Sequence, residues 1–246
     1  MQIDFSGGAC YYSNIIRNGK QGKIKMAEYG RKIGRAAAPL LIYLGISYGV
    51  LIMMDISGAY PQTSGLTGID AALATTLTAV FSFPVLWWMW RRDQQQYLYD
   101  QGKQRGKCWI FPAAFFSGML ASCAGSFLMQ ISGITEFFSN RVQEELFSGD
   151  ILVQILGLGI AVPVVEELLY RGLVYHRLLE FLPKKGALAV AILLFALSHG
   201  NMIQIIYALP MACLLHWFYE KAGFLKVPIL FHMGANLISV VLQFYL

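Results

Sequence analysis

The sequence predicts an all-α fold: a polytopic transmembrane helical bundle of about seven to eight helices with a cytoplasm-facing cavity. Three observations predict it. The 246 residues are 57% hydrophobic, with a mean hydropathy of +0.53, and only 13% are charged. An ordinary soluble domain carries about a quarter charged residues. Apolar runs of about 20 residues, the length that crosses a bilayer core, recur along the chain. The basic residues gather in alternate connections between those runs, as the positive-inside rule requires of a multi-pass protein.

Taken in order, residues 1–35 form a basic cytoplasmic N-terminal segment, expected to be partly flexible, with 20–35 suited to lying on anionic lipid. The apolar runs are 36–54, 69–90, 108–131, 151–170, 187–206, 202–219 and 227–246. The first three make the N-terminal transmembrane part, 36–131. The fifth and sixth runs overlap, and the purely apolar part of the fifth, 187–198, is short for a span. Seven crossings are still expected. Between the third and fourth, 132–150 is an outer interfacial loop or helix, where Phe137, Phe138, Leu146 and Phe147 mix with charges.

Orientation follows from Lys and Arg. Arg17, Lys20, Lys23, Lys25, Arg31, Lys32 and Arg35 precede the first run, and Arg91, Arg92, Lys103, Arg105 and Lys107 lie between the second and third. Arg177, Lys184 and Lys185 follow the fourth, and Lys221 and Lys226 separate the last two. The alternate connections carry none in 55–68 and only Arg141 in 132–150. The N-terminus is therefore expected in the cytoplasm and the C-terminus outside the cell membrane. Trp87, Trp88, Trp90 and Trp109 flank the basic connection as an interfacial belt. No cleavage-site pattern precedes the first run, so no removable signal peptide is expected.

Cys10, Cys108, Cys123 and Cys213 show no paired spacing, which argues against disulfides or a cysteine metal site, and Cys123 and Cys213 read as apolar packing residues. Ser117, Ala121 and Gly125 form a small-residue face suited to helix packing. His176 reads as an edge residue, and His216, beside Trp217 and Tyr219, as an interfacial one.

The polar residues left within or at the ends of the runs are Glu166, Glu167, Arg171, His199, His216, His232 and Asn236. Glu167 and Arg171 are four apart with the acid first, the favourable order for an ion pair on one helical face. Glu166 is turned about 100° away, toward Leu169 and Tyr170. Pro163 is expected to bend the helix and free a carbonyl beside the pair. His232 and Asn236 share a face, and Phe195 stands one turn before His199. A helix begun at Ile151 completes about 20 residues near Tyr170, placing both glutamates one turn beneath the cytoplasmic face. Counted at about 1.5 Å per residue, His232 would lie about 7.5 Å deep and His199 about 20 Å, so their depths disagree unless a helix tilts or the cavity is a funnel.

EExxxR at Glu166-Glu167…Arg171, FxxxH at Phe195…His199 and HxxxN at His232…Asn236 stand in order on three apolar segments. In this the chain resembles the CAAX-protease and bacteriocin-processing (CPBP, or Abi) family of intramembrane endopeptidases, with 151–246 as its catalytic core. The resemblance implies that Glu166 is the base that activates water, helped by His199. It implies that His232 and Asn236 hold the oxyanion, with Glu167 and Arg171 in support. Such hydrolysis needs a base held near neutrality and donors aimed where negative charge develops. Glu166, His199 and His232 could instead bind Zn²⁺ as a His₂Glu set with an open position for water. The absence of HExxH favours the metal-free glutamate mechanism, so no cofactor is required.

The implied substrate is a peptide or lipid-modified protein at the inner leaflet, as in CAAX processing, peptide or bacteriocin maturation, or self-immunity. Nothing points to nucleic acid. Singly, the motifs read as an ion pair at a helix end and as interhelical hydrogen bonding. Two other functions fit the same composition: a non-catalytic membrane immunity or binding protein, and a transporter whose buried carboxylates relay protons.

Overall fold

The computed structural model describes residues 6–57, 70–96, 109–138, 141–147 and 149–245, with side chains of the first helix described from Met26 onward. Arg17 to Lys25, Lys103, Arg105, Lys107, Cys10 and Cys108, and most of the 55–68 connection, lie outside what is described at side-chain level. The described residues are helical and contain no strand: α1 (Ser6–Ile56), α2 (Ala71–Gln96), α3 (Ile110–Ile131), α4 (Ile134–Phe137) and α5 (Arg141–Leu146). The long helix α6 (Ile151–Leu178) follows, then α7 (Lys184–Leu197), α8 (Met202–Ala222) and α9 (Lys226–Tyr245).

Six of these helices, α1, α2, α3, α6, α8 and α9, are long and apolar enough to cross a membrane. The fifth expected crossing, 187–206, is not one of them. Its helix α7 has 14 residues and stops at Leu197. Gly200 then takes a left-handed φ of 67°, and the side chain of Asn201 accepts from Ile203 N–H to cap α8. The apolar stretch is thus divided into two helices that pack on each other, joined by a tight turn. The basic N-terminal segment, expected to be partly flexible, is helical from Ser6 and continuous with the first span. The outer segment 132–150, expected as a loop or helix, contains the two short helices α4 and α5.

The centre of the bundle is α6, buried at every residue from Glu167 to Tyr175 and packed against α1, α2, α7 and α9. It is not a uniform α-helix. Gln154–Ala161 and Leu168–Val174 are π-helical, flanking an α-helical stretch at Val162–Glu167 that carries both glutamates. Wide turns of this kind add a residue per turn and redirect the side chains beyond them.

The closest helix pair is α3 with α9. A Cβ on Gly118 would lie 1.8 Å from the Phe231 carbonyl oxygen, and one on Gly234 would lie 2.1 Å from that of Phe115. The face of α3 turned to α9 is therefore Ala114, Gly118 and Ser122. The expected small face of Ser117, Ala121 and Gly125 lies beside it, where Ala121 packs against the core and Gly125 meets the ring of Tyr207 on α8. Hydroxyls add to the join, with Ser122 Oγ 2.9 Å from Ser239 Oγ and accepting from Tyr207 at 2.9 Å.

One end of the bundle is tied by charge. Arg177 donates from Nε to Asp93 at 2.8 Å and from Nη1 to the Arg35 carbonyl at 2.7 Å, while Arg35 pairs with Glu180 at 3.4 Å. Glu220 accepts from Tyr175 at 2.8 Å and pairs with Lys184. This end also carries the indole belt, where Arg91 and Arg92 lie over the rings of Trp87 and Trp88. Lipid-facing leucines and aromatics cover much of the remaining helix surface.

Gly118→Leu is expected to force α3 and α9 apart and to lower stability by about 1–3 kcal/mol or more. Unfolding of the purified protein in detergent measures this, and an unchanged midpoint would contradict the contact.

Candidate active site

The buried carboxylate of Glu167 is the fixed point of the site. Its side chain has no exposed area, and neither does that of Arg171 one turn on. Arg171 donates from Nη1 to Glu167 Oε1 at 3.0 Å and from Nη2 to the Ala212 carbonyl at 3.3 Å. Its guanidinium carbon stands 4.4 Å from the centre of the Phe195 ring, a cation–π contact in a desolvated setting. Four-residue spacing predicts this pair, and it forms across the boundary between the α- and π-helical parts of α6.

The same oxygen, Glu167 Oε1, also meets His232 Nδ1 at 2.9 Å. A carboxylate held beside a guanidinium is an acceptor, so Nδ1 carries the proton and donates it. In the neutral ring the lone pair is then on Nε2, which lies 3.7 Å from Glu166 Oε2. A carboxylate fixing the tautomer of a working histidine is a recurring supporting arrangement. Glu166, 16% exposed, lines a cavity of about 940 Å³ together with Tyr170, His199, His232 and Asn236. The four residues expected to act on substrate thus border one space, while Glu167 and Arg171 lie behind it.

His199 follows α7 directly, its Nδ1 2.9 Å from the Phe195 carbonyl. That bond places a proton on Nδ1 and leaves Nε2 as a base. Phe195, 2% exposed, packs edge-on against both histidines, at 5.1 Å from His199 and 5.8 Å from His232. One aromatic ring therefore holds two imidazoles and a guanidinium in place.

Asn236 is positioned by a gap in the backbone of α6. Val162 N–H donates to the Gly157 carbonyl in the π-helical register. The next donor in that register would be residue 163, which is proline and has no N–H. The Leu158 carbonyl is left to another donor, and Asn236 Nδ2 supplies it at 2.9 Å. Asn236 keeps its second N–H for a further acceptor.

Depth needs correction. The glutamates were expected one turn beneath the cytoplasmic end, on a helix ending near Tyr170. The helix continues to Leu178 because Arg171 is paired inside it and Arg177 is paired at its end. Glu166 is thus about three turns from that end, and His199 is about four turns from Lys184. His199 and His232 nonetheless border the same cavity as Glu166, so residue counts along each helix do not give their relative depth.

Among the described residues, no group of three or more His, Cys, Asp or Glu side chains is assembled to hold a metal ion. The alternative Zn²⁺ set of Glu166, His199 and His232 therefore has no formed three-ligand geometry here. His216 also departs from expectation: it is 2% exposed and packs edge-on at 4.9 Å against Tyr175. Trp217, its sequence neighbour, faces outward, so adjacency misled. His176 bonds the Tyr219 hydroxyl, in keeping with an edge role. Cys123 is half-buried and Cys213 exposed, both as free thiols.

Sequence reasoning missed the phenol groups on the cavity wall. Tyr43, Tyr170 and Tyr207 line it. Tyr43 and Tyr48, inside the largely aliphatic 36–54 run, were the available signal.

Glu167→Gln is expected to cost about 3–5 kcal/mol, because the Arg171 charge stays buried without its carboxylate. Thermal or denaturant unfolding reads the loss, and wild-type stability would refute the pairing.

Residues 148–238 match the family model described as Type II CAAX prenyl endopeptidase Rce1-like, a stretch that includes Glu166, Glu167, Arg171, Phe195, His199, His232 and Asn236. No curated protein and no solved structure matches the chain. With six membrane-length helices and the site in their midst, the chain is a multi-pass helical membrane protein whose residues 148–238 are similar to the Type II CAAX prenyl endopeptidase Rce1-like family.

Proposed function

We propose that this protein is an intramembrane endopeptidase that hydrolyses a peptide bond in a membrane-associated peptide or lipid-modified protein, with Glu166 as the base that activates water. The observation that carries the reading is the different fate of two adjacent carboxylates. Glu167 is enclosed and hydrogen-bonded to Arg171 and His232, while Glu166 borders the cavity with His232 Nε2 at the longer distance of 3.7 Å.

Glu166 takes a proton from a water molecule as its oxygen adds to the scissile carbonyl carbon. The carbonyl oxygen becomes an oxyanion, for which Asn236 offers its remaining N–H. His232 offers Nε2–H when that atom is protonated, its positive charge then lying between Glu166 and Glu167. The C–N bond breaks as the amine nitrogen receives the proton held on Glu166, and His199 Nε2 stands in reserve to relay it. No step requires a metal. The cavity volume and its leucine-rich walls suit a peptide segment carrying an apolar group. On the distribution of Lys and Arg the N-terminus is assigned to the cytoplasmic side of the cell membrane and the C-terminus to the outside, with the 14-residue α7 returning the chain across the bundle before α8 as a short seventh pass.

Purified wild-type protein is expected to cleave members of a peptide library, and Glu166→Gln to lose about 10²–10⁴-fold in rate at unchanged stability. Equal cleavage by the variant contradicts the reading. An immunity phenotype that survives Glu166→Ala would point to a binding protein, and proton-driven uptake abolished by it to a transporter. Activity that persists after chelation, with no metal found by elemental analysis, is expected. Loss on chelation with recovery on adding Zn²⁺ would contradict the metal-free mechanism.

A further inference from the structure

Three hydroxyl groups bond in sequence at the cavity wall, and the direction of their protons follows from counting. Each hydroxyl has one proton to donate. Ser239 Oγ donates to the Ala235 carbonyl at 3.0 Å, so its proton is committed within α9. The 2.9 Å contact between Ser122 Oγ and Ser239 Oγ is then donated by Ser122. With that proton committed as well, the 2.9 Å bond between Tyr207 Oη and Ser122 Oγ is donated by Tyr207. The chain runs one way, from Tyr207 through Ser122 and Ser239 to a backbone carbonyl, and it joins α8, α3 and α9.

The effect falls on Tyr207. Ser122 is fully buried, whereas Tyr207 and Ser239 line the cavity together with Asn236 and Glu166. The phenol proton is held in Ser122, so Tyr207 Oη has only its lone pairs left for a further partner. The ring is held too. It lies on the backbone of α3 at Gly125, where a Cβ would come within 2.8 Å of the Tyr207 ring. Other hydroxyls of the wall likewise turn their protons to their own helices, Thr75 to the Ala71 carbonyl at 2.7 Å, Thr78 to that of Ala74 at 2.9 Å and Ser198 to that of Phe195 at 2.7 Å. Tyr207 differs in carrying its oxygen at the end of a ring, well clear of its own backbone.

A peptide drawn into such a cavity loses the water that served its backbone N–H groups, and an unpaired buried N–H is costly. We propose that Tyr207 Oη accepts a backbone N–H of the substrate beside the scissile bond, and that Ser122 positions it by keeping the phenol proton out of the cavity. This rests on the endopeptidase reading only for the peptide nature of the ligand. Ser239 stands three residues beyond Asn236, about 4.5 Å along α9, and Tyr207 is two hydrogen bonds from Ser239. At about 3.3 Å per residue of extended chain, the N–H that Tyr207 reads lies within about three residues of the carbonyl that Asn236 would hold.

The test is an amide-to-ester scan, in which each backbone N–H of one peptide is replaced in turn by oxygen. The probe is the dye-labelled peptide that the full-length Glu166→Gln protein retains most strongly from the peptide library, whether or not the wild type cleaves it. One ester analogue is expected to bind about 10-fold more weakly than its parent, the effect of about one hydrogen bond. In the Glu166→Gln/Tyr207→Phe protein that analogue and the parent are expected to bind alike. Placing 4-aminophenylalanine at Tyr207 keeps the ring and a donor to Ser122 but takes away the acceptor. It is expected to give the same result even if the phenylalanine variant folds poorly. A scan unchanged by loss of the phenol overturns the proposal, as does a library of which nothing is retained. A merely structural role for Tyr207 would weaken all analogues alike, and that outcome overturns it too. Binding is read here without cleavage. A scan that depends on Tyr207 beside a wild type that cleaves nothing would sink the endopeptidase reading and leave this contact standing.

Discussion

The structure depends on one buried oxygen. Glu167 Oε1 takes the guanidinium of Arg171 and the Nδ1 proton of His232 together, and so joins two turns of α6 to α9 at the middle of the bundle. A lone carboxylate at such a place would be strongly unfavourable, and a lone guanidinium equally so. Together, with Phe195 over the guanidinium and the Ala212 carbonyl accepting its other arm, they are tolerated. The pair also fixes the tautomer of His232. A charge that would otherwise only destabilise the helix thereby sets the chemistry of the neighbouring face.

The backbone of α6 works to the same end. Two π-helical stretches bracket the glutamates, and Pro163 interrupts the ladder where the Leu158 carbonyl needs a donor. Asn236 provides it from α9, so the irregularity of one helix orients a side chain of another. Close approach of α3 to the opposite face of α9, at Gly118 and Gly234, sets how far α9 can move. The site is held by irregular and close-packed backbone as much as by side chains.

Much of this was legible from residue spacing. The four-residue intervals at Glu167–Arg171 and His232–Asn236 survive because each joins neighbouring positions on one helical face, and Phe195–His199 because the turn after α7 keeps His199 Nδ1 on the Phe195 carbonyl. Helix limits were less legible. Hydropathy ended the fourth run at Arg171, yet that residue is buried, because a charge paired inside the protein no longer marks a boundary. Hydropathy likewise joined α7 to the start of α8, where Gly200 and Asn201 impose a turn. The small residues of α3 serve two partners, α9 through Gly118 and α8 through Gly125, and spacing alone does not say which residue meets which. The bonds from His232 to Glu167 and from Asn236 to the Leu158 carbonyl join residues 65 and 78 apart, and no local period encodes them.

The most direct measurement of the central claim is the ¹⁵N chemical shift of the two His232 ring nitrogens in the folded protein, with the same spectrum taken for Glu167→Gln. The account predicts that Nδ1 bears the proton of the neutral ring in the wild type, with Nε2 unprotonated toward Glu166, and that this preference is lost in the variant. A neutral ring protonated at Nε2, or a tautomer indifferent to Glu167, would contradict the buried carboxylate as the group that organises the site.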